Sequence, residues 1–135
     1  MNRTLLIIKP DATERNLIGH IVSRLERARF KVVAMRLVNL NRQDAERFYE
    51  VHKERPFYRS LVDFMTSGPV VPIVLQKENA VADLRTLMGA TNPEQAACGT
   101  IRYEIARNIE QNSVHGSDSD ENAKREISLF IEGLD

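Results

Sequence analysis

Glycine is scarce in this chain. Only six of the 135 residues are glycine, and no GxxxxGK[ST] or GxGxxG segment occurs, which argues against a P-loop or a Rossmann phosphate cradle. Cysteine is scarcer still: Cys98 stands alone, which excludes an intramolecular disulfide and suits a reducing compartment. With no CxxC and no His-rich tract, there is no structural zinc signature. An excess of one charge is missing too. Lys+Arg 19 offset Asp+Glu 19, so no global basic field points to nucleic acid, and an anionic ligand must be held by local clusters. The opening apolar run, Leu5 to Ile8, is too short for a signal peptide or a membrane span. The expectation is one soluble, cytoplasmic domain over residues 1–135, long enough to bury a proper core, with neither membrane nor nucleic acid as partner.

Alternating elements fill that length. Thr4 to Ile8 reads as a buried strand, ended by a turn at Lys9-Pro10-Asp11. Ile18, Ile21, Val22, Leu25 and Ala28 recur at helical spacing over 17–29. Lys31 to Val38 reads as a second strand. Asn41 can cap a helix carrying Ala45, Phe48, Tyr49 and His52 on one face, and a further helical turn or two follows Pro56, with Leu61, Val62 and Met65 inward. Ser67-Gly68-Pro69 precedes a strand from Val70 to Leu75. Pro72 inside it cannot donate to a ladder, so it demands a bulge or an amide aimed away from a neighbour. Asn79 is expected to cap a helix with Val81, Leu84 and Met88 inward and Arg85 off that face. Residues 89–98 read as a loop, Val114-His115 as a short strand, and Ala123, Ile127 and Phe130 as the inner face of a last helix.

The most informative stretch is Asn112-Ser113-Val114-His115-Gly116-Ser117-Asp118-Ser119-Asp120. Imidazole is a strong nucleophile, largely unprotonated near neutral pH. A small Gly116 beside it is expected to leave room for a bulky electrophile, and the helix start behind it favours negative charge. The combination suits a histidine that takes up a phosphoryl group. Without glycine nests, phosphates must be gripped by side-chain cations and hydroxyls, and Lys9, Arg85, Thr91 and Arg102 are the candidates. Each has an ordinary alternative: a solvated charge for Lys9 and Arg85, a cap for Thr91. Phe57 and Tyr49 divide likewise between stacking on a base and core packing. His20 and His52 read as structural or solvated. A metal site of His115 with Asp118 and Asp120 is the weaker reading, because acids at a helix start more often serve the dipole.

Several blocks together carry a resemblance: Ile8-Lys9-Pro10-Asp11, Arg55-Pro56-Phe57-Tyr58, Phe64 through Val71, Gly89-Ala90-Thr91-Asn92-Pro93, Gly99-Thr100-Ile101-Arg102, and Asn112 through Ser119. In order and spacing the chain resembles the nucleoside diphosphate kinases over nearly its whole length. The resemblance implies an α+β fold, a ferredoxin-like αβ sandwich whose four-stranded antiparallel sheet carries helices on its faces. It implies transfer of the γ-phosphate of a nucleoside triphosphate, mainly ATP, to an enzyme histidine and then to a nucleoside diphosphate. His115 would be the phosphorylated nucleophile. Glu126 would orient its ring, as the acid of a catalytic triad does. Lys9, Arg85, Thr91 and Arg102 would hold the phosphates, with Tyr49 near His115 and Lys9. Phe57 would stack on the base, which tolerates any base, and Asn112 would bond the sugar hydroxyl together with Lys9. Asp118 would pair with Arg85. Mg2+ would bridge the phosphates and take few ligands from the protein.

The chain departs from the family pattern at Ala12, Tyr58, Tyr103 and Glu104, beside the phosphate grip rather than in it, and Pro72 is also unusual. It ends at Asp135, short of the C-terminal extension of many relatives, which leaves a homo-oligomer open between tetramer and hexamer. Two rival functions differ in chemistry: a non-catalytic binding module, and a phosphocarrier that passes phosphate to a protein. The first is disfavoured by the full catalytic set, the second because Phe57, Asn112 and the Arg85, Thr91 and Arg102 set would serve no purpose.

Overall fold

In a computed structural model that describes residues 2–131, apolar strands and amphipathic helices close on two sides of one sheet. β1 (Asn2–Ile8), β2 (Lys31–Met35), β3 (Val71–Lys77) and β4 (Val114–Gly116) pair antiparallel in the order β2-β3-β1-β4. β1 lies inside the sheet, and its pleat serves both faces. Leu6 and Ile8 pack with Ile21, Leu25, Leu84 and Met88 on one side. Leu5 and Ile7 pack with Phe48, Val62, Met65 and Ile127 on the other. All four β1 side chains are fully buried, each worth about 1.5–3 kcal/mol relative to exposure.

The helices follow from local signals. α2 (Ile18–Arg27) buries Ile21 and Leu25 against the first face. α3 (Arg42–Phe48) starts at Asn41, whose side chain accepts from the Asp44 amide as expected. It stops one residue before Tyr49, and His52 falls on a separate 3₁₀ turn at Glu50–His52. α4 (Tyr58–Met65) buries Val62 and Met65. α5 (Ala80–Met88) buries Leu84 and Met88, but Asn79 makes no capping bond; it sits at φ 55° and reaches Asp83 instead. α7 (Asp120–Phe130) is capped by Ser119 through the Asn122 amide.

Three further differences are local. The turn at Lys9-Pro10-Asp11 is the entry to a short helix, α1 (Pro10–Glu14), where proline at the first position loses nothing by lacking an amide hydrogen. A second short helix, α6 (Ile101–Ile105), is capped by Thr100 and presents Arg102. The second strand does not run unbroken to Val38. Arg36 donates to the Pro72 carbonyl at 3.2 Å, and proline cannot return the bond, so the ladder lapses beyond Met35 and resumes only as a bridge between Val38 and Val70. The bulge in this ladder lies between Val32 and Ala34, away from Pro72.

Two departures from the family pattern have local uses. Ala12 is fully buried in the first core. Glu104 pairs with Arg24 on α2, tying α6 to that helix on the surface.

Candidate active site

His115 is the middle residue of β4, paired with Ile7 of β1. The pleat aims its ring at the face covered by α3 and α7. There it meets the Phe48 ring edge-on, with centroids 5.0 Å apart, and its Nε2 lies 3.2 Å from Glu126 Oε1. The Ser117 hydroxyl donates to the same oxygen at 2.5 Å. Ser117 is fully buried and Glu126 nearly so. The sequence reading missed Ser117, although a signal existed: one residue past β4 and two beyond His115, it continues the strand's alternation and faces the same way. A carboxylate can only accept, so the contact selects the tautomer with hydrogen on Nε2 and leaves the Nδ1 lone pair available.

Gly116 serves another purpose than the one expected of it. One residue along the strand it faces the opposite side, where an added Cβ would lie 2.4 Å from Met88 Cε and 3.4 Å from Leu84 Cδ2. Its smallness admits α5 against the sheet, on the face opposite the imidazole.

Among the candidate cations, Lys9 and Arg102 are buried. Lys9 follows β1 and is buried, with Nζ donating to the Glu110 carbonyl and to Asn112 Oδ1, each at 3.0 Å. Asn112 in turn donates to the Thr91 carbonyl at 3.2 Å. Lys9, Asn112 and Thr91 are thus brought together, Thr91 through its backbone. The nearby turn at Pro93–Gln95 is capped by Asn92, not Thr91. Arg102 donates to the carbonyls of Gly89 at 3.0 Å and Val114 at 2.7 Å, the latter adjoining His115. Its Nε is buried with no protein partner. Gly89 sits at φ 88°, and a Cβ there would meet Thr100 Oγ1 at 2.4 Å, so this close approach requires glycine.

Burial and unneutralised charge leave their mark on both cations. Burial, then the Arg102 charge, holds Lys9 down to about 8. Burial and the neighbouring Arg85 hold Arg102 down to about 10. Arg85 itself is exposed on α5. Asp118 does not form the ion pair with Arg85 that was expected. Its carboxylate bonds Asn122 at 2.5 Å, and that bond, with a smaller part from the Arg85 charge, keeps its pKa below the ordinary carboxylate value.

Tyr49 is buried edge-on against Phe48 at 4.8 Å, which places it beside the His115 ring's own support. Its phenol is pushed up by burial and by the Glu126 charge, and no contact joins it to Lys9. Phe57 stands at the start of α4 with 45% of its surface exposed, its ring 5.7 Å from that of His52. An aromatic ring that open is free to stack.

Known proteins share this chain's sequence pattern and fold. The family model for nucleoside diphosphate kinase matches residues 2–135. A nucleoside diphosphate kinase of Histophilus somni (strain 2336) is 60% identical over 131 residues, 97% of this chain and 93% of that protein. One from Desulfatibacillum aliphaticivorans is 57% identical, covering 97% and 95%. Among solved structures, the Aquifex aeolicus nucleoside diphosphate kinase superposes with a TM-score of 0.96 at 40% identity, over 98% of this chain and 96% of that one. The halophilic enzyme of Halobacterium salinarum, in complex with CDP, does so at 0.93 and 40% identity, over 97% and 88%. With its family model matched from the second residue onward and its fold shared in full, this chain belongs to the nucleoside diphosphate kinase family.

Proposed function

We propose that this chain, working as one domain, moves the γ-phosphoryl group of a nucleoside triphosphate, mainly ATP, onto His115 Nδ1 and from there onto a nucleoside diphosphate. The observation that carries the reading is the held imidazole, with Nε2 against Glu126 and Ser117 donating to the same oxygen. In the first half-reaction the bond from γ-phosphorus to the β–γ bridging oxygen breaks as the P–Nδ1 bond forms, and the diphosphate leaves with the electron pair. The positive charge that develops on the ring is stabilised by Glu126. The second half runs the same step in reverse with another diphosphate, so one pocket serves both.

Such transfer asks the protein chiefly for position and charge neutralisation. Arg102, Arg85, Thr91 and Lys9 would hold the phosphates, Asn112 with Lys9 the sugar hydroxyl, and Phe57 the base. Tyr49 packs the ring platform beside the nucleophile and stays a neutral phenol. Among the described residues no group of three or more His, Cys, Asp or Glu could hold a metal ion. The grip consists of cations and amides, which fits a magnesium–nucleotide complex as substrate, the cation arriving on the phosphates. When bound with the nucleotide, magnesium would supply neutralisation of the phosphate charge.

No helix among the described residues is long and apolar enough to cross a membrane, and a lone exposed Cys98 suits a reducing cytoplasm. A homo-oligomer, tetramer or hexamer, fits the exposed Met35 and Leu37 at the end of the edge strand β2, a surface that a second copy would cover. Its mass in solution tests that part. The activity is tested by exchange between ATP and a second nucleoside diphosphate, with γ-labelled ATP in parallel. The parent protein gives exchange and an acid-labile, base-stable phosphoenzyme; His115→Gln gives neither. A His115→Gln variant exchanging at the parent rate contradicts the reading.

A further inference from the structure

The backbone between Asn112 and His115 is under strain. Ser113 adopts φ 76°, a region a side-chain-bearing residue rarely enters, and the Val114 amide donates back to the Asn112 carbonyl at 2.9 Å. A bond from residue i+2 to i around a central residue at such a φ is the rare, strained form of γ-turn. Strain of this kind persists only where the surroundings hold it.

What holds it here is a cluster outside the catalytic set, buried except for a partly exposed Arg15. The Ser113 hydroxyl is fully buried and donates to Asp11 Oδ2 at 2.8 Å. Arg15 Nη2 bonds that same carboxylate oxygen at 3.2 Å, the Ser113 oxygen at 3.2 Å, and the Ile105 carbonyl at 2.8 Å. Arg15 Nε bonds the Asp11 carbonyl at 2.8 Å, so α1 is fastened at both ends of the contact. The Ser113 carbonyl accepts from the Lys9 amide at 2.9 Å. Asp11 itself is buried, and its Oδ1 has no protein partner. Keeping a half-satisfied carboxylate there is costly, which points to a use other than stability.

The turn has one geometric consequence. Its first residue is Asn112, whose side chain meets Lys9 and Thr91, and its last is Val114, whose carbonyl holds Arg102. His115 follows and is pinned independently by the β1–β4 ladder. The Ser113 angle therefore sets where Asn112 stands relative to the nucleophile.

We propose that Asp11, gripped by Arg15, is a positioning residue: by anchoring the Ser113 hydroxyl it holds the strained turn closed and fixes Asn112 against His115. The inference rests on the reading that His115 takes its phosphoryl group from a nucleotide.

The test compares two phosphoryl donors for His115. A nucleoside triphosphate needs Asn112 in place. Phosphoramidate carries no sugar; its P–N bond breaks as the P–Nδ1 bond forms, and ammonia leaves. Ser113→Gly accepts the positive φ without strain but lacks the hydroxyl, so it folds and loosens the turn. Asp11→Asn removes the charge that Arg15 grips. In both variants, phosphorylation of His115 by nucleoside triphosphate falls about tenfold to 10²-fold, the scale of a small misplacement, while phosphorylation by phosphoramidate stays at the parent rate. If the two donors fall by the same factor in Ser113→Gly, the cluster is merely structural and the proposal is overturned. Parent rates with both donors overturn it equally. Should Asp11→Asn fail to fold, Ser113→Gly alone decides. A parent protein that takes phosphate from phosphoramidate but not from nucleotides indicts the functional reading instead.

Discussion

The proposed nucleophile and the cations proposed to hold the phosphates are secured by opposite means. His115 is held by a carboxylate: Glu126 takes its Nε2, and Ser117 steadies Glu126. Lys9 and Arg102 are held by neutral oxygens, the first by the Glu110 carbonyl and the Asn112 amide, the second by the carbonyls of Gly89 and Val114. A carboxylate fixes a tautomer and stabilises a cationic ring. Carbonyls fix a cation's position without cancelling its charge. Burial and repulsion from a neighbouring cation bring the pKa of each down, although the Asp11 and Glu110 charges partly offset this at Lys9. In the proposed site such charge would act where it is most valuable, on phosphoryl oxygens during transfer.

The largest effect that sharpens this contrast is expected at Arg102. Arg102→Ala lowers kcat about 10²-fold if its loss resembles that of one oxyanion donor. Arg102→Lys does not restore full activity, because a point charge cannot span two carbonyls and a phosphate as a planar fork does. Steady-state kinetics at saturating nucleotide, with folding checked by circular dichroism, gives the answer. A rise in KM alone makes Arg102 a uniform binding group.

Next in size is Glu126→Gln, which keeps the shape but not the charge. Its kcat is expected to fall about tenfold, as for loss of an outer partner that orients a reactive histidine, with little change in KM. An unchanged kcat removes the distinction between the two sides of the site.

Lys9 gives a smaller effect, read against pH. Because its pKa is held near 8, kcat/KM falls as pH rises through about 8, where the free protein loses that charge. Stability moves the other way. The native state releases this proton before the unfolded chain does, so Lys9 makes folding more favourable as pH rises from about 8 towards the ordinary lysine value. Thermal melts of the parent and Lys9→Met across that window isolate the difference. A kcat/KM flat through pH 8 contradicts the assignment.

The smallest effect belongs to the base. Phe57 offers an exposed ring and nothing selective, so adenine, guanine, cytosine and uracil diphosphates are expected to differ only modestly in kcat/KM. Strict preference for one base reveals a contact beyond Phe57.

What was legible in the sequence depended on the length and kind of signal. α2 and α5 carry at least two turns of apolar periodicity, β1 and β3 are apolar runs bounded by turn residues, and Asn41 announces its cap. α1 and α6 were invisible because a helix of five residues completes barely more than one turn and shows no period. His115 was marked by its own stretch and Glu126 only by the resemblance, while Ser117 could have been added by continuing the strand's alternation. Much of the cation side could not be read at all. The acceptors at Gly89, Glu110, Val114 and Thr91 are backbone carbonyls, which every residue carries. Gly116 misled because its neighbourhood in sequence suggested a space that lies on the other face of the sheet. The positive φ of Ser113 has no counterpart in its residue type.

The most direct test asks which ring nitrogen carries the phosphate. The protein is phosphorylated with nucleoside triphosphate, and the phosphohistidine isomer is assigned by phosphorus and nitrogen NMR under alkaline conditions. With Nε2 held by Glu126 at 3.2 Å, the phosphate is predicted on Nδ1 of His115. Phosphate on Nε2, or on a residue other than His115, would contradict it.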